Sequence, residues 1–286
     1  MTARSMQRAL AHVPLEAAED VAPGGDEPLA ALPGDRAPAL RPSHRDPLRA
    51  DDGLLEVLET ARFGVAYEPI VEVSTGRTVA HEALARFHRA DGALIPAARA
   101  FAWLHGAPAL FVETELALKR LQLERAPGHT LFVNLDPDSY LGASGAAEQF
   151  VALLARAGLD VVVEAIENLD ARDAVRAGEM ISGLRDAGLP FALDDVGAAG
   201  GIISFEALAH ADYLKFDRSL VPVPRDARRL AVVQALVGMA KHTGARAVLE
   251  GVETVEDLEL ARELGVGFAQ GYLFRDRFVR VGPDAR

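Results

Sequence analysis

The sequence predicts an α/β fold, a (β/α)8 barrel standing behind a disordered N-terminal tail. Three observations predict it. Eight short apolar segments recur along residues 51–286 and mostly alternate with stretches of helical period. Several are near-continuous apolar runs, such as Val161-Val162-Val163, as parallel strands covered on both faces require. The length also suits a closed barrel, which typically takes about 250 residues. A doubly wound open sheet uses the same alternation. The two differ in where polar residues lie, because a barrel gathers its functional side chains at the carboxyl ends of many different strands.

Residues 1–50 differ in composition from everything after them. Seven of the sixteen prolines fall there, Pro14 to Pro47, with Ala, Gly, Asp and Arg between them and no sustained period. Such a segment buries too little apolar area to offset its ordering entropy and is expected to be disordered, with a short helix at Met6–His12. From Asp51 the pattern changes. Leu54, Leu55 and Leu58 recur at helical spacing, Val65–Val73 reads as a strand, Ser74-Thr75-Gly76 as a turn and Thr78–Phe87 as a second strand, an antiparallel hairpin. Helix is expected over 97–124 with a break near Gly106 and Pro108, then strand 130–135, helix 138–157, strand 160–166, helix 170–187 and strand 190–194. A short helix at 204–209, strand 212–216, helix 224–243, strand 245–250, helix 255–264 and strand 267–269 complete the series.

Bulk composition excludes several functions. No cysteine is present, so disulfides and thiolate metal sites are ruled out. No apolar run approaches the ~20 residues of a membrane span, and Met1 to Ala11 lack the apolar core of a secretory signal, so a soluble, cytoplasmic protein is expected. The net charge of −12 and the lack of a basic stripe argue against a nucleic-acid polymer as partner. A small phosphate ester is still compatible if metals offset the repulsion.

The predicted strand ends carry the polar residues. They are Glu82, Asn134, Glu164 (followed by Glu167), Asp194-Asp195, Lys215, Glu250 (followed by Glu253) and Gln270. Each has an ordinary structural use: Asn134 or Asp195 can cap a turn, Lys215 can snorkel, and Glu250 and Glu253 suit a helix N-terminus. Their joint occurrence at seven successive strand ends points instead to a bound cation, since such groups are costly to bury alone. An all-oxygen donor set favours Mg²⁺ or Mn²⁺ over zinc. Paired carboxylates after a strand can hold two such ions, which clamp a phosphoryl group attacked by water.

These residues sit in motifs that resemble a known family. Tyr67-Glu68-Pro69-Ile70-Val71 and Glu82-Ala83-Leu84-Ala85-Arg86 are similar to the opening of EAL domains, the cyclic di-GMP phosphodiesterases. So are Phe132-Val133-Asn134-Leu135, Glu164-Ala165-Ile166-Glu167, Leu193-Asp194-Asp195-Val196-Gly197, Asp212 to Ser219, Glu250-Gly251-Val252-Glu253-Thr254 and Ala269 to Phe274. The resemblance runs from about Leu54 to Phe274. It implies a TIM-like barrel with an antiparallel first strand, in a domain over 51–286, and hydrolysis of cyclic di-GMP to linear pGpG with two Mg²⁺ or Mn²⁺. It also implies roles. Glu82, Asn134, Glu164 and Asp194 would hold one metal, and Asp194, Asp195 and Glu250 the second. Glu250, Lys215 and Asp195 would serve catalysis. Leu84, Arg86 and Gln270 would face the substrate, and Glu167 and Glu253 would support the site from outside.

The chain departs from the family pattern in places. Val196-Gly197-Ala198-Ala199-Gly200-Gly201-Ile202 stands where hydroxyl and aromatic residues are usual, Glu68 where glutamine is common, and His81 and Leu249 beside the signature glutamates. The stretch from Arg275 to Arg286 is short for a full final helix. The loop change leaves a second function class open, a receptor for cyclic di-GMP or a protein-interaction module. The same loop is tied to dimer coupling in the family, so a homodimer is left open, as is a protein partner for the tail. Gly24-Gly25-Asp26-Glu27 matches the letters of the diguanylate cyclase signature, but it lies between prolines with no strand beside it and is read as coincidence.

Overall fold

The computed structural model describes residues 53–128, 130–166, 171–198, 204–220 and 226–283. The expectations for the tail at 1–50, the Met6–His12 helix and most of the loop at 196–202 lie outside the described residues, as does Glu167. Of Ile166 and residues 171–174 only the backbone is described.

In chain order the elements are α1 (Leu54–Glu59), β1 (Phe63–Glu72), β2 (Thr78–His88), β3 (Leu94–Ile95), α2 (Ala97–Leu104), α3 (Pro108–Glu124), β4 (Thr130–Asn134), α4 (Pro137–Tyr140), α5 (Ala146–Ala155), β5 (Asp160–Ile166), α6 (Ala171–Asp186), β6 (Phe191–Val196), α7 (Phe205–His210), β7 (Tyr213–Phe216), α8 (Ala227–Thr243), β8 (Arg246–Leu249), α9 (Val255–Leu264), β9 (Phe268–Ala269) and β10 (Val279–Val281). Short 3₁₀ turns cover Arg218–Leu220 and Tyr272–Arg277. Local chemistry sets many of the boundaries. Pro108 and Pro137 open α3 and α4 at positions where a missing N–H costs nothing. Asp136, Ser204, Asp226 and Thr254 cap helix N-termini through their side chains, and Thr254 with Asp257 forms a capping box.

The sheet closes on itself. β1 pairs antiparallel with both β2 and β9, and β2, β4, β5, β6, β7, β8 and β9 follow one another in parallel. The open-sheet alternative is thereby excluded, and the expected antiparallel first strand is present. Two short strands lie beyond the eight expected ones. β3 forms a hairpin with β2, and β10 pairs antiparallel with β1, so the described part of the C-terminal stretch carries a strand where a final helix would lie. The expected helix 138–157 is two helices, α4 and α5. They are separated at Gly145, whose left-handed backbone (φ +78°) suits glycine.

The core has three parts. Most of the apolar residues fill the layer between barrel and helices, including Val133, Phe150, Val163, Phe191 and Phe216. A second cluster packs α1, α2 and the start of α3 on the hairpin, around Phe63, Phe87 and Phe111. The third fills the barrel interior with Ile70, Ala80, Phe132, Val162, Ala192, Tyr213, Val248 and Phe268, one residue from each of the eight strands. Phe132 and Tyr213 meet edge to face within it, 4.8 Å apart. Buried polar contacts lock α3 to this frame. Tyr67 Oη donates to the Gln122 carbonyl at 2.8 Å, and Gln122 Nε2 donates to the Ala83 carbonyl at 2.9 Å.

Candidate active site

Successive strand residues point to opposite faces, so the side chain two positions from an interior residue is also interior. Counting two residues on from each plug residue gives Glu82, Asn134, Glu164, Asp194, Lys215, Glu250 and Gln270. For the antiparallel β1 the count runs backwards and gives Glu68, which lies directly opposite Glu82. An apolar plug therefore carries eight polar side chains at one mouth of the barrel. Sequence reasoning named seven as site residues. It noted Glu68 only as standing where glutamine is common and did not place it in the site, because on the antiparallel β1 the residue at the mouth precedes the plug residue instead of following it.

Lys215 occupies the centre. Its Nζ lies 2.6 Å from Glu164, 2.9 Å from Asp194, 2.9 Å from Glu250 and 3.3 Å from Glu82, and the residue is fully buried. Asn134 Nδ2 donates to Glu82 and to Glu164, each at 3.0 Å. Gln270 Nε2 donates to Glu82 Oε2 at 2.5 Å. Asp195 joins the group through a backbone exception. Its φ is +54°, and the β6–β7 pairing shifts register between Leu193 and Val196. Alternation breaks there, so two consecutive carboxylates serve one cluster. Aspartate tolerates this conformation better than most residues.

Two carboxylate groups result, Glu82–Glu164–Asp194 and Asp194–Asp195–Glu250, with ligand-capable oxygens within 4.8 Å of one another in each. Asp194 is common to both. The charges do not balance, since five carboxylates share one ammonium. Burial, then the Glu82 charge, pushes the Glu164 carboxyl well above the usual carboxylate range. Burial raises Glu250 likewise, against the pull of Lys215. Burial and the Asp194 charge push Asp195 up to about 6. Burial also raises Asp194. Glu82 alone is lowered, because Lys215 and the two amide donors outweigh its burial. For Lys215 the four carboxylates outweigh burial and hold the ammonium charged. Glu164 Oε1 and Asp194 Oδ1 are buried and share the one Lys215 ammonium, at 2.6 and 2.9 Å. Excess buried negative charge, buried oxygens that share a single ammonium and an all-oxygen donor set fit hard divalent cations.

The remaining expected site residues lie around this centre. Leu84 and Arg86 alternate with Glu82 on β2 and share its face. Arg86 Nη2 is 3.9 Å from Glu68 Oε1. Glu253 stands apart from both carboxylate groups and pairs with Arg218 at 2.9 Å. A cavity of about 460 Å³ opens over the site, lined by Glu68, Glu82, Glu250, Gln270, Tyr272 and Arg280 among others. Gly271 forms part of its wall and packs closely on Val252. A β-carbon there would lie 2.4 Å from the backbone N and O of Val252, and its φ of +152° is one that side chains rarely adopt. A separate trio at His105, Asp136 and Asp138 is paired internally and to Arg176. Among the described residues no helix is long and apolar enough to cross a membrane.

The model of the EAL domain family matches residues 51–276. The chain is 30% identical over 230 residues to the cyclic di-GMP phosphodiesterase RocR of Pseudomonas aeruginosa, covering 76% of this chain and 58% of that one. It spans 34%, 30% and 48% of the lengths of three further curated relatives. Among solved structures, the PaMucR phosphodiesterase in complex with c-di-GMP superposes with a TM-score of 0.64 at 26% identity, over 78% of this chain and 94% of that one. BlrP1 of Klebsiella pneumoniae, in a manganese and cy-diGMP complex, gives 0.63 at 25% identity, over 78% and 56%. Because the family match takes in every strand that contributes to the polar layer, from Glu68 to Gln270, this chain belongs to the EAL domain family.

Proposed function

We propose that the chain hydrolyses cyclic di-GMP to linear pGpG in a reaction that depends on two Mg²⁺ or Mn²⁺. The observation that carries this reading is the pair of carboxylate groups sharing Asp194 at the mouth of the barrel. Glu82, Asn134, Glu164 and Asp194 would hold one ion, and Asp194, Asp195 and Glu250 the other. When bound, such ions lower the pKa of water and stabilise charge on the attacking and leaving oxygens. The protein's own groups supply the rest, which for phosphoryl transfer is chiefly positioning and charge compensation. Glu250 takes the proton of the attacking water. Lys215, kept cationic by its neighbours, donates to the charge that develops on the phosphate. Gln270 and Asn134 fix the Glu82 carboxylate by hydrogen bonds. Arg86 reaches the ester from the rim and offers the planar fork that suits phosphate.

The competing reading is a receptor that binds cyclic di-GMP without cleaving it, favoured by the hydroxyl-free sequence Val196 to Ile202. One experiment separates the two. Purified chain with Mn²⁺ is incubated with cyclic di-GMP and the products are resolved by chromatography. Formation of pGpG is expected, and Glu82→Ala is expected to abolish it. Binding without product would select the receptor reading, and no binding would refute both.

A further inference from the structure

The cavity above the carboxylates carries two charged groups that the proposed hydrolysis does not use, Glu68 and Arg280. Arg280 reaches it only because β10 pairs with β1. In that register Arg280 lies opposite Ala66, and cross-strand partners share a face. Ala66 and Glu68 are two residues apart on one strand, so Arg280, Glu68 and Glu82 face the same mouth. The Arg280 charge acts on the Glu68 carboxylate. Yet Arg280 makes no hydrogen bond or close ion pair among the described residues, and the Glu68 carboxylate has only the long 3.9 Å contact to Arg86. Two aromatic rings complete the wall. Tyr272 is 59% exposed, with the Arg275 guanidinium 5.0 Å from its ring centre, and Phe278 stands edge-on to it at 6.5 Å.

One planar fork of donors, one carboxylate and exposed aromatic faces match a purine, and a particular one. Guanine offers two adjacent acceptors, O6 and N7, to an arginine. Its N1–H and N2–H₂ form a row of donors that a carboxylate can accept together. Adenine presents an amine where guanine presents O6, which turns away a guanidinium. Aromatic side chains supply stacking to any base, so the two charged groups decide which base is kept.

We propose that Arg280 and Glu68 read a guanine base of the substrate, which makes Arg280 a specificity-determining residue supplied by the C-terminal strand. This rests on the cyclic dinucleotide reading above and adds to it the source of base selectivity.

The test is equilibrium binding of cyclic di-GMP and cyclic di-AMP to the full chain with Ca²⁺ as the divalent ion, with chromatography used to verify that the ligand stays intact. The parent should prefer cyclic di-GMP. Arg280→Ala should weaken cyclic di-GMP binding about five- to 150-fold, the range of one bidentate base contact, and change cyclic di-AMP by less than about threefold. Arg280→Lys should not restore the loss, because a point charge lacks the fork. Glu68→Ala should narrow the preference from the other side, because it removes the acceptor, and it tests the pair independently if Arg280→Ala melts early. Equal losses for both dinucleotides, rescue by lysine, or unchanged affinity in Arg280→Ala and Glu68→Ala would each overturn the assignment. A parent that binds neither dinucleotide would instead sink the cyclic dinucleotide reading itself.

Discussion

Lys215→Met is the most informative single change, because it removes the one cation from the polar layer while keeping the side chain's length. The four carboxylate contacts at 2.6–3.3 Å are each worth about 5–6 kcal/mol in gross attraction at an effective dielectric of 20. Most of that is cancelled by the cost of taking five ions out of water. The net cost of leaving buried charge without its partner is about 3–5 kcal/mol. In a domain of this size 1 kcal/mol moves the melting temperature by about 2–4 °C, so a fall of about 6–20 °C is expected in chelator. Mn²⁺ should then return part of the loss, because it supplies the same compensation to the same oxygens. Turnover should not return with it. Losing one preorganised donor at the reacting phosphate costs about 10²–10³ in rate. The assay is thermal unfolding of parent and variant with chelator and with Mn²⁺, followed by the phosphodiesterase reaction on both. A variant that melts within about 2 °C of the parent in chelator, and gains no more from Mn²⁺ than the parent does, would refute the charge-compensation argument.

The other predictions test the same frame. The Asp195 carboxyl is raised from 3.8 to about 6, so its protonated form adds stability in full below about pH 4, and that contribution is lost as pH rises to about 6. A divalent ion needs the deprotonated form, so the melting shift produced by Mn²⁺ should be small at pH 4.5 and grow through pH 6.5; a shift independent of pH would count against metal binding there. Phe132→Ala empties the centre of the barrel plug, where the ring is fully buried, and should cost about 3–5 kcal/mol in denaturant unfolding. A loss below about 1 kcal/mol would mean that the plug does not support the layer above it. Gly271→Ala should destabilise by more than about 1 kcal/mol, because the new carbon meets backbone that cannot step aside. A neutral result in the same unfolding assay would show that the approach to Val252 is looser than 2.4 Å.

Much of the fold was legible because each strand of the barrel is marked twice, by a short apolar run and by the polar residue that follows. Glu164 after Val161-Val162-Val163 and Asp194 after Phe191-Ala192-Leu193 are read directly from the letters. What was not legible depends on direction and on very short elements. Glu68 faces the site because β1 runs against its neighbours; the hairpin announces that direction, but which of its residues meets the mouth depends on the register with Glu82. β10 is only Val279–Val281, too short for alternation to stand out, and its place beside β1 is a long-range pairing. Arg280 was therefore invisible as a cavity residue. The adjacency of Asp194 and Asp195 was visible, but strand geometry alone would send them to opposite faces. Only the left-handed backbone at Asp195 explains how both serve one cluster.

The polar layer and the plug beneath it also explain each other. Ile70, Phe132, Val248 and their partners fill the barrel below, so water cannot solvate the carboxylates from that side. The oxygens can be satisfied only by Lys215, by the amides of Asn134 and Gln270, or by whatever enters from the mouth. Those three donors are too few, and Glu164 Oε1 and Asp194 Oδ1 have to share the single Lys215 ammonium. A dry floor thus raises the free energy of the empty site and directs the excess charge toward a cation entering from above. The same arrangement makes ion binding stabilise the native barrel, because an ion that binds the folded form and not the unfolded one shifts the equilibrium by mass action. On the proposed reading, the groups that destabilise the metal-free fold would be the groups that select the metal.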